Sequence, residues 1–75
     1  MNIKIKKNDG EVFAVFMDKR YINGKILCYS CYDDTHFECD ISYINNSKDV
    51  KDDKTKREVL KALGNRGYNN IVINN

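Results

Sequence analysis

The chain has no proline and no tryptophan, only four glycines and two methionines, and an odd number of cysteines, three. No apolar run approaches the ~18 residues that a membrane-spanning helix needs. Neither sign of charge dominates: 13 Lys and Arg stand against 11 Asp and Glu, a net +2 that is too even for a dedicated polybasic DNA binder. There is no phosphate-cradling glycine loop, no Ser-His-Asp arrangement and no paired-carboxylate motif in a structural context. At 75 residues the sequence is one domain's worth of chain, expected to bury roughly 60% of its unfolded surface, which leaves no room for a deep interdomain cleft.

The cysteines bear on compartment. A small secreted domain would carry a larger, even set, and Met1–Lys7 reads as a charged strand rather than the apolar stretch of a signal peptide, so a reducing cytoplasm is expected. Phe, Tyr, Met, Ile, Asn and Lys make up 38 of the 75 residues. All have AT-rich codons, which with the missing proline and tryptophan suits an AT-rich bacterium, its phages or its plasmids.

What is present is mostly strand. Ile3 and Ile5 alternate with Lys4 and Lys6, and Asn8-Asp9-Gly10 follows as a turn signal. Val12–Met17 is an apolar run of strand length, and Asn23-Gly24 is a favoured hairpin pair. Lys25–Tyr32 and Phe37–Ile44 are two further strands around Asp33-Asp34-Thr35-His36. Residues 45–54 are polar and read as a flexible loop. Lys54–Arg66 has helical spacing, with Val59, Leu60 and Leu63 on one face, Asp53 or Thr55 as cap and Gly64 or Gly67 as stop. Ile71–Ile73 is a short last strand. The expected fold is a single α+β domain over residues 1–75: an antiparallel four-stranded β-meander, one C-terminal helix packed on one face, and a short final strand.

A three-residue loop at 8–10, a two-residue turn at 23–24 and a four-residue loop at 33–36 give one set of registers. They collect Ile3, Ile5, Phe13, Val15, Met17, Tyr21, Ile26, Cys28, Tyr32, Phe37, Cys39, Ile41 and Tyr43 on one face, which the helix should cover. The opposite face then carries an apolar patch of Val12, Ala14, Phe16, Leu27, Tyr29 and Cys31 with charged margins. Such a patch marks an interaction surface with aromatic anchors. The expected partner-binding residues are Phe16, Tyr29 and Leu27, with Arg20 and Lys4 at the margin. The expected role is a non-enzymatic protein-binding module, of the kind a phage or mobile element would use to inhibit a host or defence protein. The final strand, the 45–54 loop or a second copy of the chain is the alternative cover for the patch. A nucleic acid stacked on the same aromatics is another, opposed by Asp18, Glu38 and Asp40 on that face.

All three cysteines and the only histidine fall in Cys28-x2-Cys31-x4-His36-x2-Cys39. The opening pair has zinc-ligand spacing, and the order of the four resembles a retroviral-type zinc knuckle. The chain departs from that module in its short His-to-Cys spacing and in having Tyr32, Asp33, Asp34 and Thr35 where the knuckle has loop glycines. The expectation is therefore no cofactor, with Cys28 and Cys39 as core thiols; a zinc-stabilised hairpin on Cys28, Cys31, His36 and Cys39 is the alternative.

Overall fold

The computed structural model describes residues 1–21 and 23–75. Along the chain come β1 (Asn2–Asn8), β2 (Glu11–Arg20), β3 (Lys25–Ser30), β4 (Thr35–Asp40), α1 (Ile41–Asn45), β5 (Lys48–Asp49), α2 (Asp53–Asn65) and β6 (Val72–Ile73). The first four strands form an antiparallel meander, and the sheet runs β4-β3-β2-β1-β5, with β6 also joined to β1. The α+β architecture is the expected one.

The first hairpin decides which residues share a face. Asn8 pairs with Glu11, so the loop is the two residues Asp9-Gly10, both at positive φ (51° and 82°), the turn whose twist matches the strands it joins. The three-residue loop expected from sequence was one residue too long. That slip sends every side chain of β1 to the other side. Ile3 lies opposite Phe16 and Ile5 opposite Ala14, not opposite Val15 and Phe13.

The other two hairpins also differ, but by amounts that mostly keep the faces. Phe13 pairs with Ser30 and Val15 with Cys28, and a bulge between Val15 and Arg20 brings Arg20 opposite Ile26. Cys28 pairs with Phe37 across the third hairpin, whose loop is 31–34. The fourth expected strand stops at Asp40. Residues 41–45 instead turn into α1, which sets Ile41 and Ile44 one helical turn apart on the side facing the sheet, with Ile44 buried.

Two cores result, one on each side of the sheet. The larger joins Ile3, Ile5, Ala14, Phe16 and Tyr29 to Val50, Val59 and Leu63. The smaller joins Phe13, Val15, Ile26 and Cys28 to Ile44, with Met17, Phe37, Cys39 and Ile41 half-buried around it. Helix α2 thus covers the face expected to be open. Its cap is Asp52, whose carboxylate accepts from the Thr55 N–H at 2.9 Å, rather than Asp53 or Thr55. It stops in a Schellman turn: the Tyr68 N–H bonds Leu63 O at 3.1 Å, the Gly67 N–H bonds Gly64 O at 3.0 Å, and Gly67 takes φ +94°.

The outer edge of β1 is closed in two pieces. β5 pairs antiparallel at Lys6 and Lys7, and β6 pairs parallel at Asn2 and Ile3. Asn75 bridges the gap, accepting from the Ile5 N–H at 2.7 Å and donating to Ile5 O and Val50 O. Half of the expected 45–54 loop is thereby structural, and Val50 is a core residue. No described helix is long and apolar enough to cross a membrane.

Candidate interaction surface

The expected partner-binding residues separate. Phe16 and Tyr29 are each 1% exposed and lie under α2 and Tyr68, so they are core residues and not surface anchors. Leu27 is half-buried against the same core. The physical reason is the one-residue slip. With Ile3 and Ile5 beside Ala14 and Phe16, this face is the more apolar, and the stripe of Val59 and Leu63 packs there. A nucleic acid has no access to stack on these two rings. Lys4 and Arg20 lie at the other face, around a small depression floored by Val15, Ile26 and Ile44.

The four metal-ligand candidates are likewise divided. Cys28 and Cys39 belong to the smaller core, while Cys31 packs against the larger one. His36 sits opposite Tyr29 and stacks on Phe16 at 6.0 Å, with its Nε2 2.7 Å from the Tyr68 hydroxyl. No group of three or more described His, Cys, Asp or Glu residues is placed to hold a metal ion.

A polar cluster ties the β3–β4 loop to the end of α2. Asp34, at φ 56°, accepts from the Tyr29 hydroxyl and from Arg66 Nε at 2.9 Å, and Arg66 also donates to the Asp34 carbonyl. The guanidinium lies 5.7 Å from the Tyr29 ring centre. Arg66 and the phenol hold the Asp34 carboxyl below its ordinary range, and the carboxylate in turn pushes the Tyr29 phenol up. A depression of about 290 Å³ beside it is lined by Tyr29, Cys31, Asp34, Ala62, Asn65 and Arg66. Burial, with Asp34 nearby, raises the Cys31 thiol to about 11, far from a reactive thiolate. These groups satisfy one another and act as a clasp.

What stays open is β4. Among the described residues no strand pairs with its outer edge. Thr35, His36, Glu38 and Asp40 are exposed along it, and Phe37 and Cys39 are half-buried. Every Lys and Arg lies outside residues 26–47, a stretch that holds four carboxylates, Asp33, Asp34, Glu38 and Asp40. At the start of β4 a depression of about 210 Å³ is walled by Phe13, Phe37 and Tyr43, with Glu11 and Asp33 at its rim. Phe37 meets Phe13 edge-on at 5.9 Å, and Tyr43, 39% exposed, lies 5.7 Å from Phe13. Phe13 itself is buried, and it is Phe37 of β4 and Tyr43 of α1 that keep part of their rings exposed. From sequence this region read as core, because the whole helix stripe was assigned to it.

Comparison of the chain with protein-family models, curated proteins and solved structures gives no match.

Proposed function

We propose that the protein is a non-enzymatic binding module that takes up an extended, basic segment of another protein as an added strand along β4. The carrying observation is the unpaired edge of β4, six residues long, in the longest stretch of the chain without Lys or Arg, which holds four carboxylates. Main-chain groups on such an edge supply affinity, and alternate side chains supply specificity. Glu38, Asp40 and Asp33 would select Lys or Arg on the incoming strand. The Phe37 and Tyr43 rings, with Glu11 and Asp33 at the rim, suit one long cationic side chain lying on aromatic faces. The same carboxylates disfavour pairing of two β4 edges, which would set acid against acid, so a second copy of the chain is the poorer occupant.

The reading is non-enzymatic because the polar side chains at the depression beside Asp34, namely Tyr29, Asp34 and Arg66, are spent on each other. Three cysteines without a disulfide suit a reducing cytoplasm, and a small chain rich in AT-codon residues suits a phage or mobile-element inhibitor.

The test is titration with a synthetic peptide of alternating Lys and Val, read by amide hydrogen exchange. Protection of residues 35–40, weakening at least tenfold in the Glu38→Lys/Asp40→Lys double variant, supports the proposal. Protection elsewhere, or equal binding of a Glu-Val peptide, overturns it.

A further inference from the structure

The smaller core contains a feature that strand pairing alone does not require. Cys28 lies opposite Phe37 and Cys39 opposite Ile26, so the two cysteines are diagonal neighbours on one face of β3 and β4. Their Sγ atoms are 3.1 Å apart. Cys28 is fully buried, while Cys39 is half-buried on the edge strand. The third cysteine points to the other core. We propose that Cys28 and Cys39 form a redox-active dithiol that closes to an intramolecular disulfide across β3 and β4, leaving Cys31 a free thiol.

The geometry assigns an order to the two sulfurs. A disulfide needs the sulfurs at about 2.05 Å, so closing asks for an approach of roughly 1 Å. Cys39 is the one that an outside reagent reaches. As a thiolate it attacks one sulfur of a low-molecular-weight disulfide such as oxidised glutathione. An S–S bond forms between Cys39 and one glutathione, and the other leaves as thiolate. Cys28, deprotonated in turn, attacks Cys39 Sγ and expels the second glutathione. The protein loses two electrons, the reagent gains them, and the two thiol protons end on the two glutathione molecules. Burial raises both thiols above the ordinary range, and the hydrogen bond shared with Cys28 offsets part of this at Cys39. The reaction therefore speeds up with rising pH.

The experiment incubates the folded chain with oxidised glutathione and measures intact mass. The expected result is a loss of about 2 Da, reversed by dithiothreitol and faster at about pH 9 than at about pH 7. Trypsin leaves all three cysteines in one peptide, 26–48; cleavage after Tyr29, Tyr32 and Phe37 by chymotrypsin separates them. The digest should contain one cross-linked pair, Cys28 with Cys39. C31S should keep the mass loss and C39S should abolish it, both checked for fold by circular dichroism. C28S, at a fully buried position, is a supporting variant only. A glutathione adduct that persists on Cys39 without the loss, or a cross-link that includes Cys31, overturns the inference.

Discussion

At the scale of single residues, the buried rings and the exposed ones make opposite demands. Phe16 and Tyr29 sit at the centre of the larger core, so truncation leaves a cavity and not merely a lost contact. Phe16→Ala should cost about 3–5 kcal/mol, most of the stability of a domain this size, and show as a collapsed urea midpoint. Tyr32, 83% exposed in the 31–34 turn, should change the same midpoint by no more than about 0.5 kcal/mol when replaced by Ala. Asp34 adds a dependence on pH. Its carboxyl is depressed in the fold by Arg66 and the Tyr29 hydroxyl, so its contribution is present above the ordinary carboxylate value and fades as pH falls through the lowered one. Asp34→Asn preserves a side chain tolerant of φ 56° and removes the charge. Thermal melts should place the variant below the parent at pH 7, with the two curves converging in acid.

At the scale of elements, turns fix what strands present. Asp9-Gly10 closes the first hairpin in two residues, and that closure alone puts Ile3 and Ile5 under α2. The other hinge is the end of α2. Gly67 lets the chain reverse after Arg66, and the reversal delivers Tyr68 to Phe16 and His36, 5.1 Å and 5.9 Å between ring centres. A Cβ at Gly67 would meet no atom within 4 Å, so the cost of Gly67→Ala is that of the backbone conformation. It should amount to about 1 kcal/mol, measured by chemical denaturation. A loss near zero would mean that the Schellman turn does not hold α2 against the sheet.

At the scale of the whole molecule, the sheet has one closed edge and one open edge, and charge follows that division. β5, β6 and Asn75 close the β1 side, where Lys6 is buried against Asp49 at 2.9 Å. The β4 side is open and acidic. Binding of a basic strand there should weaken as salt is raised, because its selectivity comes from exposed carboxylates. A titration of the Lys-Val peptide at low and high ionic strength checks this, and an affinity indifferent to salt would count against the acidic edge as the determinant.

The sequence by itself determined the type and order of β1 to β4, of α2 and of β6. The period-2 alternation of Ile3 and Ile5, the apolar run to Met17, the two strand runs on either side of the 33–36 turn signal and the stripe of Val59 and Leu63 are local patterns, and local patterns survive whatever the chain does elsewhere. They also carried the separation of β2, β3 and β4 into two faces, since the errors in those registers were even-numbered over most of their length. Tertiary structure decided what each face meets. Asn8-Asp9-Gly10 fits a two-residue or a three-residue loop, and only the burial of Ile3 and Ile5 beneath α2 selects the first. Ile41, Tyr43 and Ile44 fit a strand period and a helical one, and the uncovered Phe13, Val15 and Cys28 select the helix. The candidate binding residues followed those two choices: Phe16 and Tyr29 became core, and the open surface lies at the β4 edge instead of on that face, because a face is open only after every other element has found its place.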